Sequence, residues 1–145
     1  MQIRFEGRDA HVIVGYTPGE VRLADRRLTA SALISAEHVE DWSVSSMSQF
    51  DVAALDSILK RKPELIILAT SPQQFPAPAV LARALSAGVG LEAMDIGAAC
   101  RTYNVLVGEA RGVLLALIMG APAAGSAGPP AGPAGGSQSR ASGAR

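Results

Sequence analysis

The apolar positions in the first third of the chain have the spacing of β structure. Val12-Ile13-Val14 and Val21-Arg22-Leu23 flank the turn-rich Thr17-Pro18-Gly19, which predicts a hairpin. Residues 27–34 are predicted as a further strand, because small or apolar side chains recur there at every second position: Leu28, Ala30, Ala32 and Ile34. The chain is therefore expected to begin with β structure.

The middle third changes to a helical period. Val52, Leu55, Ile58 and Leu59 predict a helix, with Asp51 in its first turn, the basic run 60–62 in its last turn and Pro63 ending it. The unbroken apolar run at 65–69 is typical of a strand that is covered on both faces.

A second helix and strand follow after Pro76 and Pro78. Helical spacing recurs at Val80, Leu81, Ala84 and Leu85 until Gly88, and 89–94 is the next predicted strand. A strand, a helix and a strand in this order predict two parallel strands joined by a right-handed crossover.

The last part of the domain allows two interpretations. Residues 95–108 have the spacing of a helix, and the apolar residues 112–118 predict a final strand near the centre of the sheet. The competing interpretation is a hairpin of 104–107 with 113–118. From Ala121 onward Ala, Gly, Pro and Ser dominate, so we expect a single α/β domain at 1–120 and a disordered tail at 121–145.

Charge and composition exclude several classes of protein. Without the two arginines of the tail, the domain has 11 basic and 13 acidic side chains, and the run Lys60-Arg61-Lys62 is better explained as complementing a helix end than as a phosphate-binding patch. No nucleic-acid partner is expected. The charged first residues do not form a signal peptide, and the longest apolar stretch, 113–119, is too short to cross a membrane. We therefore expect a cytoplasmic protein without membrane insertion.

Searches for catalytic or cofactor motifs give no candidate set. The sequence Gly88-Val89-Gly90-Leu91-Glu92-Ala93 spells G-x-G-x-x-A, but it follows a predicted helix and opens a strand, the reverse of a dinucleotide-binding turn. The acidic segment 37–41 around His38 is better explained as a turn before Trp42 than as a metal site. No cofactor and no metal are expected.

The best candidate for a binding site joins two loops. Thr70 and Ser71 follow one strand of the predicted parallel pair, and Asp95 follows the other. Parallel strands place both loops at the same edge of the sheet, where open α/β sheets form ligand crevices. Asp95 is also placed to cap the helix that follows it.

Three residues of that helix are further candidates. Cys100, the only cysteine, is either a buried structural residue or a reactive thiol activated by the helix N-terminus and the neighbouring arginine. Arg101 and Asn104 lie on another face and are candidates for contacting a ligand or partner. For Arg101 the alternative is an ion pair with Asp95 or Glu109.

The segment Glu92-Ala93-Met94-Asp95-Ile96-Gly97-Ala98-Ala99-Cys100-Arg101-Thr102-Tyr103-Asn104-Val105-Leu106 resembles the signature of a known family. That family includes mitochondrial complex I assembly factor 3 and the adipogenesis-associated domain protein. The similarity extends through most of 11–118. Two positions depart from the family pattern: Ala69-Thr70-Ser71 stands where Gly-Thr-Gly is common, and Ile96 stands where Thr is common.

The resemblance implies a three-layer α/β fold with a mixed central sheet whose final strand is antiparallel to its neighbours. It also implies a non-enzymatic protein-interaction module, with subunits of the respiratory NADH dehydrogenase as partners by analogy. The rival hypothesis is a binder of a small anionic ligand, or an enzyme, that uses the crevice at Thr70-Ser71 and Asp95-Arg101. The oligomeric state does not follow from the sequence.

Overall fold

A computed structural model describes residues 10–120 of the 145-residue chain. The predicted tail at 121–145 lies outside the described residues, as does the start of the predicted domain at 1–9. The division into a domain at 1–120 and a tail therefore stays a prediction.

The described residues form eight strands and three α-helices. The strands are β1 (Ile13–Thr17), β2 (Glu20–Leu23), β3 (Arg27–Leu28), β4 (Ala32–Ile34), β5 (Val39–Asp41), β6 (Leu65–Thr70), β7 (Gly90–Asp95) and β8 (Val113–Leu117). The helices are α1 (Val52–Leu59), α2 (Pro78–Ala87) and α3 (Ile96–Gly108), and a 3₁₀ turn at Met47–Gln49 precedes α1. The helix predicted at 95–108 is therefore confirmed over the competing hairpin.

The strands form two sheets. A five-stranded sheet has the order β5-β4-β8-β6-β7, and a three-stranded antiparallel sheet has the order β1-β2-β3. In the larger sheet β6 runs parallel to both β7 and β8, whereas β4 runs antiparallel to β8 and β5. The mixed α/β class is confirmed. The final strand β8 is central, but it is antiparallel to only one neighbour, β4, and parallel to the other, β6.

Alternating side chains of the larger sheet divide the core into two apolar clusters. Ile66 and Leu68 of β6 pack with α1 and α2 on one face. Ile67 and Ala69 pack on the opposite face, with α3 and the inner side of the three-stranded sheet. Successive strand residues point to opposite faces, so the continuous apolar run at 65–69 fills both clusters. The result is a three-layer arrangement.

The strand predicted at 27–34 is wrong as a single element. It divides into β3 and β4, which belong to different sheets, and Ala30, expected on the apolar face, is exposed. The buried Ser31 hydroxyl accepts a hydrogen bond from the Met119 N–H at 2.9 Å and donates one to the Met119 carbonyl at 3.1 Å. These two bonds fix the chain where it passes from one sheet to the other. The alternation of small or apolar side chains continues through this point, which is why the sequence predicted a single strand.

Helix α2 has a wider apolar stripe than the core can cover. Val80 and Ala84 are buried, but Leu81 and Leu85 of the same predicted face are exposed. Gly88 ends the helix with a left-handed φ of 74°, a conformation that costs glycine little. The predicted helix is confirmed, and only part of its apolar face is buried.

Candidate functional site

The two loops of the predicted crevice do meet at one edge of the sheet. Strands β6 and β7 pair in parallel, and Thr70 lies opposite Asp95 at the end of their register. Both loops therefore leave the carboxyl edge side by side. This is the arrangement that the sequence predicted for the site.

Thr70 and Ser71 have different surroundings. Thr70 is buried, and its hydroxyl oxygen accepts a hydrogen bond from the Gln74 N–H at 3.0 Å, so the side chain shapes the loop. Ser71 is exposed. Further along the loop, the Gln73 side-chain amide donates to the Ala93 carbonyl of β7 at 2.9 Å and ties the loop to the edge of the sheet.

Asp95 is exposed and caps α3. Its carboxylate accepts a hydrogen bond from the Gly97 N–H at 3.2 Å, as expected for the residue before the first helical turn. One oxygen of this carboxylate is thereby used to stabilise the helix.

Arg101 extends from α3 towards the hairpin formed by β1 and β2. Its guanidinium donates a hydrogen bond to the Tyr16 hydroxyl at 2.5 Å. Gly97 leaves room for the tyrosine ring, because a β-carbon there would lie 3.0 Å from a ring carbon of Tyr16, closer than an ordinary contact. The ion pairs within residues 10–120 do not include Arg101, so its proposed pairing with Asp95 or Glu109 is not formed there.

The side chain of Asn104 forms two hydrogen bonds with the backbone of one residue of β1, Ile13. Its side-chain oxygen accepts from the Ile13 N–H, and its amide nitrogen donates to the Ile13 carbonyl, each at 2.8 Å. The neighbouring Tyr103, fully buried, donates its hydroxyl to the His11 carbonyl at 2.7 Å. Burial raises the pKa of Tyr103, which keeps the phenol protonated as a donor.

Cys100 faces the core between α3 and the sheet. It is buried, and burial raises the pKa of its thiol to about 11, with Arg101 lowering it only in part. The thiolate is the nucleophilic form, so this environment favours the structural interpretation of Cys100. The role as a reactive thiol remains an untested hypothesis.

The predicted site residues do not form one cluster, and Arg101 takes part in both of the following arrangements. Ser71, Asp95 and the guanidinium of Arg101 reach the surface near the carboxyl edge. Arg101, Tyr103 and Asn104 together form what we call the hairpin clamp, because all three bond to the segment 11–16. Tyr16 was missed as a partner of Arg101, since nothing in the sequence links residues so far apart along the chain.

A second surface feature was also missed. A groove of about 670 Å³ lies beside the N-terminal ends of α1 and α2, lined mainly by apolar side chains that include Met47, Phe50, Val52, Phe75 and Val80. Phe75 is 71% exposed, although it is a large aromatic residue. The sequence did contain a signal for this exposure. Phe75 stands among Pro72, Pro76 and Pro78, in a segment outside the predicted helices and strands.

The fold is that of a small mixed α/β domain, and the described residues contain neither a helix able to span a membrane nor a cluster able to hold a metal ion. Residues 13–118 match the family model described as "Protein of unknown function (DUF498/DUF598)". The chain belongs to this family.

Relatives with sequence and structural similarity support the assignment. The chain is 37% identical to a Xanthomonas campestris protein solved by NMR, with a TM-score of 0.69 over 83% of this chain and 93% of that one. It is 25% identical to a Bordetella pertussis protein described as a Mth938-like domain, with a TM-score of 0.65 over 74% and 85%. It is also 30% identical to a Francisella tularensis protein named "13 kDa major membrane protein", over 59% of this chain and 72% of that one.

Proposed function

We propose that the chain is a non-enzymatic protein-interaction module that helps assemble a larger complex, with subunits of the respiratory NADH dehydrogenase as its partners. The observation that carries the interaction role is the exposed Phe75 beside an apolar groove. The choice of NADH dehydrogenase subunits rests on the resemblance of residues 92–106 to the assembly-factor family. Exposed aromatic residues over apolar surface are typical of binding hot spots.

The hairpin clamp supports this proposal indirectly. Tyr103 and Asn104 bond to the backbone of His11 and Ile13, and Cys100 is buried with a raised pKa. The most distinctive segment of the sequence therefore contributes chiefly to the fold. Its only thiol, that of Cys100, is buried and has a raised pKa, whereas a nucleophile is activated by an adjacent base, a lowered pKa or a metal ion.

The groove has an apolar lining suited to apolar side chains of a partner. Its floor is formed by Phe50 and Val80, both buried, and Phe75 stands at its rim. The only acidic group in the lining, Asp51, uses its carboxylate to accept the Ala54 N–H at 2.9 Å. We therefore expect a partner that inserts aliphatic or aromatic side chains, with little dependence on salt.

Affinity capture from native extract tests the proposal. We expect the wild-type chain to recover a defined set of proteins that includes peripheral-arm subunits of NADH dehydrogenase. Phe75→Ser should weaken recovery by about tenfold or more, because truncating an anchor residue costs about 2 kcal/mol or more. Val105→Ser is the matched control, since Val105 is 60% exposed on α3, away from the groove.

The proposal would be contradicted if all three baits recovered the same background. Recovery of defined partners that is equal for Phe75→Ser and the wild type would place the interaction on another surface.

Binding of a small anionic ligand at the carboxyl edge is the second candidate function. The observation that favours it is Arg101, which is exposed and, among residues 10–120, bonds to a phenol and forms no ion pair with a carboxylate. An arginine whose charge is not neutralised by a carboxylate can recognise an anion through paired N–H donors. Ser71 and Asp95 at the same edge would then set the selectivity of the crevice.

Thermal-shift screening of anionic metabolites separates the two candidates. If the crevice binds an anion, the stabilising shift should disappear in Arg101→Ala but persist in Tyr16→Phe, which removes the hydrogen bond and keeps the cation. No shift with the wild-type chain, or a shift that survives Arg101→Ala, would count against this candidate.

A further inference from the structure

The groove beside Phe75 has the kind of lining that binds proline-rich segments. Two phenylalanines contribute to it, Phe50 at its floor and Phe75 at its rim, the latter 71% exposed. Proline-rich segments in the extended polyproline II conformation dock in grooves lined by aromatic side chains, and this conformation needs no internal hydrogen bonds. The groove therefore suits a short extended segment whose prolines pack against the aromatic rings.

The sequence beyond Gly120 contains such a segment. The only P-x-x-P sequence in the whole chain is Pro130-Ala131-Gly132-Pro133, and no charged side chain occurs between Gly120 and Arg140. An uncharged segment gives up little solvation in an apolar groove. It also requires no counter-charge there, and the carboxylate of Asp51 in the lining already accepts a backbone N–H. The motif and the groove are therefore chemically matched.

The chain leaves the larger sheet close to the groove. Ile118 packs in the same apolar cluster as Phe50. Strand β8 runs parallel to β6 with Leu117 opposite Ala69, so residues after β8 and the loop that carries Phe75 both leave the carboxyl edge of the sheet. The tail therefore begins at the same edge as the groove.

The distance from Gly120 to the groove is within reach of the motif. The Thr70 hydroxyl accepts the Gln74 N–H at 3.0 Å, which holds Phe75 near the end of β6. With this turn, a strand spacing of about 4.8 Å and the short segment after β8, the α-carbons of Gly120 and Phe75 are at most about 30 Å apart. Pro130 follows Gly120 by ten residues, which span about 31 Å in the polyproline II conformation.

We propose that Pro130-Ala131-Gly132-Pro133 docks in the Phe75 groove of its own chain and thereby competes with the partner for it. The inference rests on the proposed function, because it adds a regulator to the same groove. A segment tethered by a short flexible linker has an effective concentration of about millimolar, so weak contacts are enough to fill the groove in a large share of the molecules. The apparent affinity for a partner then falls in proportion to the fraction of molecules whose groove is free.

Paramagnetic relaxation in the full chain tests the docking without any partner. Ser137→Cys introduces a site for a nitroxide label beside the motif, and Cys100 should not take up the label because it is buried. We expect the amide signals of Phe75 and Ala53, which line the groove, to be broadened. The amide signal of Val105 should keep its intensity, because α3 covers the opposite face of the sheet.

Two proline variants of the labelled chain show whether the motif causes the broadening. Pro133→Ser breaks the P-x-x-P sequence and should restore the groove signals. Pro122→Ser, the matched control, removes a proline outside the motif and should leave them broadened. In the capture experiment, Pro133→Ser should raise the recovery of partners by about twofold, the change expected when half of the molecules gain a free groove.

The docking is overturned if the groove signals of the labelled chain stay sharp, or if Pro133→Ser leaves them broadened. Broadening in an isotope-labelled chain without nitroxide, mixed with a nitroxide-labelled chain, would show instead that the tail of a second copy fills the groove. Recovery of partners that Pro133→Ser leaves unchanged would contradict the competition. A capture that recovers only background, together with broadened groove signals, would contradict the proposed function and leave the docking intact.

Discussion

Arg101 and Asn104 show that the structural partners of polar residues on a helix can be missed from sequence alone. Their spacing placed them on α3 and suggested contacts with a ligand or partner. The structure gives each a bond to residues 11–16, more than 80 positions away along the chain. A sequence shows that a polar group needs a partner, but it does not show which distant backbone supplies one.

Cys100 gives a testable prediction at the same scale. The pKa of its thiol is raised by burial from 9.0 to about 11, so it should react with an alkylating reagent at neutral pH only as fast as the protein unfolds. A reaction at the rate of a free thiol in the folded protein would support the redox hypothesis instead.

The raised pKa of Cys100 also fixes the sign of its effect on stability. As the pH rises, the thiol ionises near pH 9.0 in the unfolded chain and near pH 11 in the folded chain. Its contribution to the free energy of unfolding is therefore complete below pH 9.0 and is lost as the pH rises through about 11. As the pH rises over this range, the free energy of unfolding of Cys100→Ala should therefore fall less steeply than that of the wild type. Equal slopes for the two proteins would contradict the assignment.

At the scale of elements, local signals predicted most of the fold. The hairpin of β1 and β2, the helix α1 with its Asp51 cap, and the β6-α2-β7 unit follow from period, capping and turn residues that act over short distances. Helix α3 was favoured over a hairpin because Asp95 caps it and its apolar residues share one face.

The errors have a common physical cause in strand pairing and burial. Nothing local distinguishes a strand at 27–34 from two strands joined through Ser31, because the bond to Met119 decides between them. The parallel pairing of β8 with β6 likewise depends on the order of the strands in the sheet. Leu85 has the spacing of the apolar face of α2 but is 82% exposed, because the period of a helix does not show how wide the neighbouring layer is.

At the scale of the whole molecule, α3 joins two sheets that do not pair with each other. It packs on the larger sheet through its apolar face and holds β1 of the smaller sheet through the hairpin clamp. Among residues 10–120 the smaller sheet has three short strands, so its own contacts give it little independent stability. The clamp should therefore decide whether the smaller sheet remains attached.

Hydrogen exchange of Asn104→Ala, measured with its free energy of unfolding, tests this account most directly. Removing the side chain leaves the Ile13 N–H and carbonyl without partners, which should lower the free energy of unfolding by about 2 kcal/mol. Val105→Ala is the control, expected within about 0.5 kcal/mol of the wild type. We predict that amides of β1 and β2 lose protection in Asn104→Ala while those of β6 and β8 keep theirs; unchanged protection in β1 and β2 would contradict the structural role of the clamp.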